Sequence, residues 1–167
     1  MGDEVWYATI VGVIVLSGLC IFSILYLAKM RRTKTNDAWK QAATELGFNF
    51  TPPGIFGKYT MSGMIGQQLS CTVWAHTEPQ GKSSTTYMNY DVRFSQPLNK
   101  VKELLTPNIQ SKLLEARNVL NNLVVSDDSV KVTRMRGFIR KSEILVQNVK
   151  LLIQLAELIN PKAGVIV

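Results

Sequence analysis

From Val5 to Ala28 the chain runs 24 residues without one charged side chain. As a helix rising about 1.5 Å per residue, that run reaches roughly 36 Å, enough to cross a hydrocarbon core of about 30 Å with some tilt. A helix packed on a soluble core is apolar along one stripe. Here Ile10, Val11, Val13, Ile14, Val15 and Leu16 cover every face. Trp6 and Tyr7 stand at one end and Tyr26 at the other, where amphipathic rings settle at a membrane interface. The pattern predicts one transmembrane helix over residues 5–28, preceded by a short extracytoplasmic N-terminus over 1–4.

A cleaved secretory signal would carry a basic segment, a shorter apolar run and a small-residue cleavage site. Asp3 and Glu4 stand there instead and no A-x-A pattern follows, so the reading is a retained anchor. Lys29, Arg31, Arg32 and Lys34 follow the span, and no Lys or Arg precedes it. The positive-inside bias then places the N-terminus outside and residues 29–167 in the cytoplasm, at a bacterial inner or plasma membrane. Ala8 and Gly12 form a small-xxx-small pair, with Ser17, Gly18 and Ser23 further along. Such residues let another helix approach closely, although they are also common on lipid-facing surfaces.

Beyond the anchor, residues 29–36 read as a basic juxtamembrane linker, 37–160 as one domain, and 161–167 as an apolar tail ending Val165-Ile166-Val167. The domain is of ordinary size for a single core. Fifteen basic and ten acidic side chains fall in residues 35–167, so this part carries +5 of the chain's +7. A mildly basic domain beside an anionic leaflet is attracted to it, which explains the charge without nucleic acid. Of the two cysteines, Cys20 lies in the span and Cys71 in the domain. They cannot pair with each other, and free thiols suit a reducing compartment.

Hydrophobic periodicity divides the domain. Asn36 or Asp37 caps a helix through Glu45, with Trp39, Ala42, Ala43 and Leu46 on one stripe and Gly47 as its stop. Phe48 and Phe50 enter an extended segment that Pro52-Pro53-Gly54 breaks. Tyr59–Ile65, Gln68–Thr77 and Thr85–Phe94 read as strands. A short turn at Gly66-Gln67 joins the first pair, and a longer loop, Glu78–Ser84, the second. In the third strand Met88, Tyr90, Val92 and Phe94 alternate with Tyr87, Asn89, Asp91 and Arg93, one core face and one largely polar face. Thr106-Pro107 starts a helix, with Thr as cap and Pro at the first helical position. Leu123–Val125 and Ser129–Arg136 form a hairpin across Asp127-Asp128. A last helix begins at Ser142 and stops before Pro161. Gln147, Lys150, Gln154 and Glu157 form a narrow polar stripe and apolar residues fill most of the rest, so it is buried on most sides, either between the sheet and helices of its own domain, which is the favoured reading, or against a partner. The order α–βββ–α–ββ–α specifies an α+β domain with an antiparallel sheet.

Motifs that carry chemistry are sparse. His76 is the only histidine, and Cys71, five residues earlier on the same strand, points to the other face. No H-x-x-H or C-x-x-C spacing is present, so no metal or haem site is expected. There is no G-x-S-x-G elbow, no G-x-G-x-x-G and no Walker motif. Asp127 and Asp128 are adjacent, but they sit in a turn, where Asp bonds the local backbone. The expectation is therefore a protein that is not an enzyme and uses no cofactor.

One basic cluster remains: Lys131, Arg134, Arg136, Arg140 and Lys141. Strict alternation puts Arg134 and Arg136 on one face and Lys131 on the other. An anionic lipid headgroup, a small anionic ligand or an acidic partner would suit the cluster. Nucleic acid would call for interleaved aromatic rings, and only Phe138 is near. A charged strand edge guarded against pairing is the plainer explanation.

Trp39, Ala43, Leu46, Gly47 and Phe48, then Gly63, Leu104-Leu105-Thr106-Pro107, Val125-Ser126-Asp127-Asp128, Gly137 and the helix from Leu151 to Glu157 form a scattered pattern. On these positions the chain resembles a group of uncharacterised bacterial single-pass membrane-anchored proteins with a small α+β cytoplasmic domain. This chain is shorter between Phe94 and Leu104 than that pattern. The resemblance implies no activity and no functional residue. The function expected from the sequence is a non-catalytic accessory or scaffold subunit of a larger membrane complex. The alternative is a membrane-surface sensor holding an anionic lipid or small ligand through residues 131–141.

Overall fold

The computed structural model describes residues 2–54, 57–98 and 101–160, with side chains described for Trp6 and, apart from Lys102, from Gly12 onward. The tail over 161–167 lies outside the described residues. Internal contacts divide the chain into two compact units, Met1–Asp37 and Ala38–Val167.

Helix α1 runs Gly2–Leu46. Its stretch from Gly12 is the one helix, among the described residues, long and apolar enough to cross a membrane, and none of its most apolar window is buried. Ser17 and Ser23 donate their hydroxyls to the carbonyls of Val13 and Leu19, at 2.7 and 2.8 Å. Serines bonded back to their own helix leave no polar group for lipid to satisfy. Trp6 and Tyr26 are exposed, and Phe22 stacks on Tyr26 at 6.4 Å. The side chains of Tyr7 and Ala8 lie outside those described. Residues 29–36 are helical, so the expected linker and the fresh helix start at Asn36 or Asp37 are not found. No Pro or Gly interrupts 29–46. Extending an existing helix adds one bond per residue, whereas a new one must bear nucleation again. Thr33 and Thr35 also bond back to Lys29 and Arg31.

α1 ends as its sequence predicts. Phe48 N donates to Ala43 O at 2.7 Å and Gly47 N to Thr44 O at 3.2 Å, the paired bonds of a Schellman stop. Short strand β1 (Asn49–Thr51) follows, then β2 (Tyr59–Ile65), β3 (Leu69–Gln80) and β4 (Ser83–Phe94). Next come α2 (Val101–Leu104), α3 (Pro107–Val119), β5 (Leu123–Val125), β6 (Ser129–Arg136) and α4 (Ser142–Ile159). The strands make one antiparallel sheet in the order β1-β2-β3-β4-β6-β5. The domain is therefore α+β, with the element order expected.

Thr106 Oγ1 accepts from Ile109 N, and Pro107 opens α3. The single turn α2 was not foreseen. Asp127 holds it from a distance, accepting from Val101 N at 3.1 Å. Asp127-Asp128 do form the turn between β5 and β6. Asp128 accepts from the Ser126 and Ser129 hydroxyls, and those bonds hold its carboxyl below its ordinary pKa.

The loop expected over Glu78–Ser84 is instead two long strands meeting at Gly81-Lys82. Gly81 has φ +61, a value a two-residue hairpin turn gives readily to glycine. Pro79 is tolerated within β3 because β2 ends opposite Ala75, leaving β3 a free edge beyond it. A residue without an N–H costs no ladder bond there and guards the edge against pairing.

One face of the sheet carries the core. The row Phe50, Met61, Val73, Tyr90, Val132, Leu123 crosses all six strands in register. Trp39, Ala42 and Ala43 of α1, Leu113 and Ala116 of α3, and nine residues of α4 are buried, their apolar members in the same cluster. α4 is the central helix of its own domain, the first of the two arrangements its apolar circumference allowed. Its one buried amide, Asn148, donates to Tyr90 Oη at 3.1 Å. Lys150 on the polar stripe pairs with Glu45 at 2.9 Å.

Candidate functional site: the uncovered face of the sheet

Alternation about the core residues places Ser70, Thr72, Trp74 and His76 of β3, and Tyr87, Asn89, Asp91 and Arg93 of β4, on the second face. The buried apolar side chains of the helices all belong to the core on the first face. No helix among the described residues covers the second. Trp74 lies half-buried in its middle, opposite Asn89.

β6 departs from simple alternation here. Met88 pairs with Met135, but Tyr90 pairs with Val132, so Thr133 and Arg134 together oppose Asn89. This β-bulge changes the outcome for the basic cluster. Lys131, paired with Asp91, Arg134 beside Asn89, and Arg136, paired with Tyr87, all fall on the uncovered face. The expectation that Lys131 points away from the two arginines is thus overturned, because the extra residue resets the period of two. Arg140 and Lys141 lie beyond the strand and are exposed, in the segment leading to α4.

Arg134 adopts φ +56, a left-handed backbone that L-residues avoid. Asn89 holds it. The Asn89 Oδ1 accepts from Arg134 N at 2.9 Å, and Nδ2 of the same amide donates to His76 Nδ1 at 3.0 Å. His76 Nδ1 is then an acceptor, so Nε2 carries the proton and donates to Glu78 Oε1 at 2.9 Å. Glu78 Oε2 closes the circuit by accepting from Arg134 Nη2 at 2.7 Å. The guanidinium also lies 4.9 Å from the centre of the Tyr87 ring. The Tyr87 side chain first, and the Glu78 carboxylate second, raise its pKa further. Gln80 Nε2 donates to Tyr87 Oη at 2.8 Å and steadies that ring. The bulge therefore re-aims Arg134 into an ordered network of six side chains from three strands.

Asp91 and Arg93 form a second pair, Arg93 Nε donating to Asp91 Oδ2 at 2.7 Å. Asp91 is buried, and its Oδ1 has no hydrogen-bond partner. Cys71 lies on the core face; burial first, and the Asp91 charge second, push its thiol up to about 12. A thiol so held is a packing group rather than a nucleophile. Among the described residues, no three of His, Cys, Asp and Glu come together as metal ligands would.

Sequence reasoning found Arg134 and Arg136 and described His76 as a strand residue beside a loop. It missed Trp74, Tyr87 and Asn89 as members of the same site. An unbroken alternation from Ser70 to Glu78 was the available signal, since it puts Trp74 opposite the core. No family model, no curated protein and no solved structure matches the chain.

Proposed function

We propose that this chain is a non-catalytic single-pass membrane protein, its N-terminus outside and its α+β domain in the cytoplasm. In this reading the domain serves as an accessory or scaffold subunit of a larger membrane complex, and the uncovered sheet face is where it docks. One observation carries the reading: Trp74, Tyr87 and Arg134 share a sheet face that no helix among the described residues covers, and a left-handed residue is held there by a bulge. Trp, Tyr and Arg supply most of the energy in protein interfaces. Strained backbone persists where surrounding contacts hold it for a use beyond folding. Lys131, Arg134, Arg136 and Arg93 on this face outnumber Glu78 and Asp91, so the partner surface is acidic. The apolar α1 and the basic residues after it support the anchor and its orientation.

Native mass spectrometry of the chain, gently solubilised from its own membranes, tests this. The expected result is a defined assembly with other membrane polypeptides that Trp74→Asp dissociates. A wild-type chain that runs alone as a monomer overturns the reading.

A second reading keeps an anionic lipid or small anion as the ligand of the basic hairpin. The gathering of Lys131, Arg134 and Arg136 on one face favours it. Anionic-vesicle binding unchanged by neutralising Arg134, Arg136 and Arg140 would dismiss it.

A further inference from the structure

Beyond Ala75, β3 pairs with β4 alone among the described residues. Into the space at the start of β2 opens a pocket of about 480 Å³, whose lining includes Lys58, Tyr59, His76, Thr77, Thr86 and Phe138. That volume falls within the range of small-molecule sites, about 300–1,000 Å³.

The lining states what kind of molecule would fit. Tyr59 and Phe138 have ring centroids 5.2 Å apart, and Trp39 stacks behind Phe138 at 6.0 Å. Trp39 is itself fixed, fully buried and donating Nε1–H to Ile139 O at 3.2 Å. The apolar wall is thus rigid and aromatic. On the polar side, Thr77 and Thr86 place their hydroxyls 2.9 Å apart. One donates to the other, so one hydroxyl proton remains for a ligand. Both ring nitrogens of His76 are engaged, by Asn89 and Glu78, so His76 contributes surface and no further hydrogen bond. Lys58 is exposed and has no ion-pair partner among the described residues. One unpaired cation and one free hydroxyl donor match a single carboxylate. A doubly charged phosphate would find one cation only, with the Glu78 carboxylate close behind His76.

We propose that this pocket binds a small, flat aromatic monocarboxylate, its ring against Tyr59 and Phe138 and its carboxylate toward Lys58 and the threonine hydroxyls. The pocket shares His76 with the network on the docking face, but its occupancy does not depend on a protein partner.

The test uses the full chain in lipid nanodiscs with 2-naphthoate as probe, followed by saturation-transfer NMR against empty nanodiscs. Saturable binding is expected. Lys58→Met weakens it about tenfold, the loss of one charge-assisted contact. Thr77→Phe, which plugs the pocket from an exposed strand position, abolishes it. Both replace exposed side chains, and near-UV circular dichroism verifies that each variant keeps its fold. The neutral 2-naphthamide binds at least tenfold more weakly. Any one of four results overturns the proposal: a signal fully accounted for by empty nanodiscs, equal binding by both variants, equal binding of the amide, or displacement of the probe by equimolar inorganic phosphate.

Discussion

The left-handed backbone at Arg134 makes a prediction whose sign is opposite to the usual one. In most strand positions Ala is more stable than Gly by about 0.5–1 kcal/mol, because glycine loses more backbone freedom on folding. At φ +56 the order reverses. A Cβ in the left-handed region costs about 1–2 kcal/mol, a cost that glycine escapes. Arg134→Ala and Arg134→Gly both lose the ion pair with Glu78 and the contact with the Tyr87 ring, so those losses cancel in the comparison. The remaining difference favours Gly by about 1 kcal/mol, or roughly 3–5 °C in melting temperature for a domain of this size. Thermal melts of both full-length variants in one detergent, followed by near-UV circular dichroism, measure it. An Ala variant as stable as the Gly variant would falsify the assignment of Arg134 to a strained bulge. The case for a face built for docking would lose its main support.

Other predictions concern the core and the anchor. A Cβ at Gly63 would run into the Phe48 ring, with Cε1 and Cγ at 2.8 Å. Gly63→Ala should therefore destabilise the domain by about 1–3 kcal/mol, with much of the loss recovered in the Gly63→Ala, Phe48→Leu double variant; simple additivity of the two would show the contact is not what matters. Burial lifts both Cys71 and Tyr90 to about 12, from ordinary values of 9.0 and 10.0. Above those ordinary values the unfolded chain releases protons that the folded one retains, so stability falls between about pH 9 and 12, by about 1.4 kcal/mol per pH unit for each group in its window. Denaturant titrations at pH 8 and 10.5 check this, and Cys71→Ala should flatten the slope. Carbonate washing of native membranes should leave the intact chain in the pellet and release a chain beginning at Ala38. Release of the intact chain would remove the anchor from the argument.

Local chemistry made much of this fold legible. The Thr106-Pro107 start, the Gly47 stop and the two-residue alternation in β4 each act within one or two turns of chain, and each appears in the structure as read. The hairpin tip was misread because Pro79 is a breaker only where its missing N–H is needed. That depends on β2 ending opposite Ala75, a fact of neighbouring strands. The same holds for residues 29–36, where polar composition suggested a linker but nothing local stops a helix already under way.

What the sequence determined by itself is the apolar run of α1, the α+β order and the division of β4 into a core face and a polar face, because period and capping are properties of adjacent residues. The tertiary structure decided the rest. The bulge opposite Asn89 exists only through pairing between β4 and β6, which brings together Asn89 and Arg134, 45 residues apart in the chain. That one inserted residue turns Lys131, Arg134 and Arg136 to the same side as Trp74 and Tyr87. The pocket beside Lys58 likewise arises where one strand ends before its neighbour. Register between distant strands is a balance of many weak contacts, and no stretch of the chain states it alone.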